Sequence, residues 1–158
     1  MKNKKILMQI LFVIYICLLV ILLFGDDIFT RNANKYELIN HTNLVPFAEI
    51  KRYLNAFNEQ TIPLWNIICN LLGNFVLFMP LMWFAGRFKP VYKKWYISLP
   101  ICAIIIICVE WMQYYFKRGS MDVDDFILNF SGCVTFAIID SVIHKKSIVK
   151  WRSNENTD

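Results

Sequence analysis

Apolar residues fill four long runs, 6–24, 65–85, 95–116 and 126–143, with polar stretches between them. A helix needs about 20 mainly apolar residues to cross a hydrocarbon core of roughly 30 Å, so each run predicts a membrane-spanning helix. Four crossings leave both termini on the same side. Lys2, Lys4 and Lys5 precede the first run as they would precede a signal peptide. That run is too long for one, however, and no small-residue cleavage pattern follows Phe24-Gly25-Asp26-Asp27, so it reads as a retained helix. Between the first two runs, Phe47, Ile50, Leu54 and Phe57 recur at helical spacing, while Glu49, Lys51, Arg52, Asn55 and Asn58 fill the other face. This predicts a short helix lying in the outer membrane interface, with Pro46 in its first turn. The fold class is all-α: an integral membrane four-helix bundle with a short interfacial helix in the first outer loop. It forms a single domain over 1–152, and the polar residues 153–158 are expected to be a disordered tail.

Composition sharpens this picture. At 57% hydrophobic and 18% charged, the 158 residues carry more apolar side chain than a water-facing domain of that length can bury. The net charge of +5 comes from basic residues clustered between the apolar runs, which argues against a nucleic-acid partner. Lys2, Lys4 and Lys5, then Arg87, Lys89, Lys93 and Lys94, then Lys145, Lys146, Lys150 and Arg152 mark the cytoplasmic segments by the positive-inside rule. Loops 25–64 and 117–125 therefore face outward, and both termini lie in the cytoplasm. Cys17, Cys69, Cys102, Cys108 and Cys133 all lie within apolar runs and show no metal-ligand spacing. They predict packing residues, with no disulfide, metal or cofactor.

The chemistry lies in polar residues inside the spans. Asn66, Asn70 and Asn74 stack on one helical face, Glu110 and Gln113 share a face of the next span, and the last opens with Asp122, Asp124 and Asp125, followed by Asn129. At about 1.5 Å per residue, Asn70, Glu110, Gln113 and Asn129 all lie within about 10 Å of the outer end. An ionised carboxylate in the bilayer interior costs about 2.5–3.5 kcal/mol on insertion scales, so Glu110 calls for a partner, water or a proton. Arg118 is the nearest cation in sequence. These residues predict an outward-facing polar pocket lined by Asn70, Asn74, Glu110, Gln113, Arg118, Asp122, Asp124, Asp125 and Asn129. Structural roles compete with this reading. Membrane asparagines commonly serve as interhelical glue, and aspartates cap helix N-termini. Elsewhere, Asp140 pairs with His144 one turn on, Pro80 and Pro100 kink their helices, and Cys69-x3-Gly73 is a small-x3-small pair that favours close helix approach.

Three stretches, taken in order, resemble the VanZ family of small bacterial membrane proteins. They are Asn43-Leu-Val-Pro-Phe47, Gly73-Asn-Phe-Val-Leu-Phe-Met-Pro-Leu81, and Glu110-x2-Gln113 followed by Arg118-Gly-Ser-Met-Asp122-Val-Asp124-Asp125-x3-Asn129-x2-Gly132. Met82 and Phe136 stand where the family usually has glycines, departures that bear on packing more than on chemistry. The family's founding member is linked with resistance to the lipoglycopeptide teicoplanin. The resemblance thus implies a protein of the bacterial cytoplasmic membrane that lowers susceptibility to such drugs. Its expected partners are membrane lipid, a lipoglycopeptide or a lipid-linked wall precursor, or a second copy of the chain. Two alternatives stay open. One is an enzyme acting on a lipid-linked or phosphate-bearing substrate, with Glu110 or Asp124 as general base, Asp125 beside them and Arg118 holding a phosphate. The other is a transporter or assembly partner in which Glu110 binds a proton.

Overall fold

A computed structural model describes residues 2–25, 43–116 and 121–155, with side chains from 3 through 143. Among these residues the chain is helical and forms no β-strand. In chain order the helices are α1 (Lys2–Phe24), α2 (Ala48–Glu59), α3 (Leu64–Leu77), α4 (Met79–Phe88), a 3-10 turn (Pro90–Lys93), α5 (Trp95–Tyr115) and α6 (Val123–Glu155). Four stretches are long and apolar enough to cross a membrane: Asn3–Phe24, Leu64–Phe88 (α3 with α4), Trp95–Tyr115 and Val123–Ile143. The four-span expectation therefore holds. Helix α6 continues to Glu155, into residues 153–158 that the sequence read as a polar tail.

The break between α3 and α4 has a local cause. Pro80 has no N–H to donate, so the helical hydrogen-bond pattern is interrupted at that point. The Leu81 amide then donates to Phe78 O (3.2 Å), one residue short of the helical pattern. Leu77 O, left without its usual donor, accepts the Tyr15 hydroxyl of α1 at 2.9 Å. Pro100 behaves differently, and α5 runs unbroken through it.

Leu19, Phe78, Met82, Cys102, Ile106 and Cys133 form the core where the helices meet. Met82 and partly buried Phe136 belong to this packing, in keeping with a structural role for both departures from the family pattern. The close approach of α3 and α6 rests on Gly132, because a Cβ there would lie 1.7 Å from Phe75 O. The Cys69/Gly73 pair does not fulfil its expected role, since Cys69 is exposed and a Cβ at Gly73 would meet open space. A membrane helix whose small residues face outward presents them to lipid, and lipid offers no reason for close approach.

Helix α1 is mostly exposed and is held at a few points. Phe12 packs edge-on against Phe84 and Phe88 at 5.2 and 5.1 Å, Tyr15 stacks on Phe84, and Gln113 Nε2 of α5 donates to Leu23 O at 3.0 Å. Helix α2 forms as its periodicity predicted, with Ala56 on its buried side. Pro46 lies outside it, because Phe47 precedes the helix in a left-handed conformation (φ 66°) and no helical turn can include it.

Candidate functional site

The segment before α2 and the turn before α6 are bound to each other. The Asn43 amide donates to Met121 O and the Val123 amide to Asn43 O, both at 3.0 Å, forming an isolated parallel bridge with Asp122. Asn43 Nδ2 donates to the two Asp122 carboxylate oxygens at 3.2 and 3.3 Å. Asp122 Oδ1 also accepts the Asp124 amide at 2.8 Å, so Asp122 serves as the N-cap of α6. Burial raises the Asp122 carboxyl above the usual carboxylate range, opposed by those Asp124 and Asn43 donors.

Asp124 is 1% exposed and caps the other helix. Its carboxylate accepts the backbone amides of Phe47 (2.5 Å), Glu49 (2.7 Å) and Ile50 (3.1 Å), which would otherwise be unsatisfied at the start of α2. Negative charge at a helix N-terminus is also favoured by the helix dipole. Asp122 and Asp124 thus form a clasp between α2 and α6.

Deeper in the bundle the arrangement changes. Asn74 Nδ2 of α3 donates to Asp125 Oδ1 across the α3–α6 contact. Glu110 of α5 is 5% exposed and has Asp125 and Asp122 as charged neighbours. Among the described residues its Oε2 has no hydrogen-bond partner. Asn129, 2% exposed and one turn beyond Asp125, has an equally unpartnered Oδ1. Buried polar atoms are almost always hydrogen-bonded, so two orphaned acceptors at one end of a small bundle mark a polar interior short of donors.

The predicted pocket residues therefore separate into groups. Asn74, Glu110, Asp125 and Asn129 gather at one end of the bundle. Gln113 lies beside them in sequence but donates to α1. Asp122 and Asp124 form the clasp. Asn70 is exposed, and its Nδ2 donates to Asn66 O of its own helix at 2.8 Å. Arg118 falls outside the described residues. So does the side chain of His144, the expected partner of Asp140. At the opposite end of the bundle, Asp140 lines a small cavity with Arg87, Lys93 and Ser98.

Sequence reasoning placed neither Asn43 nor α2 at the site. Tyr53 of α2 sits in the field of Asp125 and Asp122, and burial raises its hydroxyl above the usual phenol value. Arg52 donates to Glu49 Oε2 through Nε (2.9 Å) and Nη2 (2.6 Å), and this bond raises its guanidinium further. Helical spacing was the available signal, since Tyr53 lies three residues after Ile50 and four before Phe57 and so shares the face of the Ile50/Leu54/Phe57 stripe.

Chemically, the site can accept hydrogen bonds and stabilise positive charge. Comparison with curated proteins and with solved structures returns no significant match. The family model of VanZ/LLP1 matches residues 12–144, which takes in the clasp, the buried acids, the last three spans and the first span from residue 12 on. The chain thus belongs to the VanZ/LLP1 family.

Proposed function

We propose that the protein lies in the cytoplasmic membrane of a bacterium with both termini inside, and that it lowers susceptibility to lipoglycopeptides such as teicoplanin through a polar site open to the outer face. The observation that carries this reading is the burial of Glu110 beside Asp125 at the end of the bundle that the charge pattern assigns to the outside. A carboxylate held there without full hydrogen bonding is hard to account for as packing. Gln113, Asn74 and Asn129 border the site, and α2 lies in the outer interface above it. In the outer leaflet the protein stands where the drug's acyl tail and its wall-precursor target meet. The reading is non-enzymatic. Of the two general bases considered for an enzyme, Asp124 is saturated by the three α2 amides.

The test is expression in a susceptible host, with teicoplanin compared against vancomycin, which lacks the acyl tail. Protection confined to teicoplanin, and lost in Glu110→Gln at unchanged protein level, supports the proposal. Equal protection against both drugs, or none, overturns it.

A further inference from the structure

The orphaned acceptors point to a ligand class. Glu110 Oε2 and Asn129 Oδ1 are buried without a hydrogen-bond partner, and Asp125, one turn before Asn129 on α6, is a charged neighbour of Glu110 and accepts one bond from Asn74. Among the described residues, what such a site lacks is hydrogens and positive charge together. We propose that Glu110, Asp125 and Asn129 receive a primary ammonium group entering from the outer end of the bundle. The proposal deepens the outward-facing site described above and rests on that reading.

The chemistry selects among cations. An ammonium group carries its charge and three N–H donors on one small centre, and two carboxylates with an amide oxygen supply the matching acceptors. A quaternary ammonium has no N–H to offer and is ordinarily held by aromatic faces, which would leave the orphaned oxygens unsatisfied. A divalent metal asks for six or more oxygens, and among the described residues no three acidic, histidine or cysteine side chains gather about a common centre. The ammonium has two sources of the same chemistry, the ethanolamine headgroup of an outer-leaflet lipid or a soluble amine.

The purified full-length chain in detergent micelles provides the test, with the thermal unfolding midpoint as readout. Phosphatidylethanolamine is titrated in, with phosphatidylcholine of identical acyl chains as the N–H-free control and free ethanolamine as the soluble arm. A saturable rise in midpoint with phosphatidylethanolamine and none with phosphatidylcholine is the expected result. The apparent affinity should fall by about tenfold or more in both Glu110→Gln and Asn129→Leu, the loss expected for one charge-assisted hydrogen bond. Asn129→Leu keeps the test intact should Glu110→Gln fold poorly. An equal rise with ethanolamine at comparable concentration supports the ammonium site with a soluble amine as its source. Equal responses to the two lipids with no response to ethanolamine, or a response unchanged in both variants, overturn the proposal. A chain that discriminates the headgroups yet gives no teicoplanin protection keeps the site and loses the antibiotic role. Protection without any amine response does the reverse.

Discussion

Asp124 and Glu110 are both buried carboxylates at the same end of the bundle, and their surroundings are opposite. Asp124 accepts three backbone amides from the start of α2, so its charge is matched to a helix N-terminus in a geometry that does not require a ligand. Glu110 has an oxygen with no donor among the described residues, where its charged neighbours, Asp125 and Asp122, carry the same sign. Burial is common to both and does not separate them. Saturation of hydrogen bonds does, and on that ground Asp124 belongs to the architecture and Glu110 to the proposed site.

Four substitutions break or sharpen this contrast, ordered here by loss of folding stability. Asp124→Ala should lose the most, about 2–4 kcal/mol, because it strips the cap from α2 and leaves three amides without their acceptor. Detergent-solubilised thermal unfolding checks it, and proteolysis within 43–60 should accelerate in parallel. Gly132→Ala comes next at roughly 1–3 kcal/mol, since the new Cβ would collide with Phe75 O and push α3 away from α6. Because the same contact carries the bond from Asn74 to Asp125, this variant should lose antibiotic protection together with stability. Glu110→Gln should change stability by less than about 1 kcal/mol, or even raise it, while abolishing protection, because the amide removes a buried charge from among like charges. Protection at the wild-type level in that variant would place Glu110 with Asp124 as scaffold. Asn70→Ala should shift the unfolding midpoint least, within about 0.5 kcal/mol, since its exposed side chain bonds only to its own helix. A large loss there would return Asn70 to the site.

Much of the fold was legible in the sequence because the bilayer imposes it. Length and apolarity are local properties, so the four spans followed from counting residues. The α2 helix followed from a period that Phe47, Ile50, Leu54 and Phe57 display by themselves. The polar layer was legible in part, because rise per residue fixes depth along a helix and so placed Asn70, Glu110, Gln113 and Asn129 near the outer end, but it could not tell that Asn70 is exposed and bonds to its own helix. Which small residue mediates close packing was not. Gly73 and Gly132 look alike in sequence, and only the rotation of each helix about its axis exposes one and buries the other.

The chain's hydrophobic pattern by itself determined an all-helical, four-span membrane protein, because every backbone amide in lipid must be satisfied within its own segment. Tertiary structure alone decided what each acid does. Asp124 meets amides more than seventy positions away at Phe47, Glu49 and Ile50, and Tyr15 finds the carbonyl that Pro80 frees 62 residues further on. Partners at such separations leave no periodic trace. Whether a buried carboxylate is a satisfied cap or an open acceptor is therefore fixed only when the helices have packed and each oxygen has, or lacks, a donor in reach.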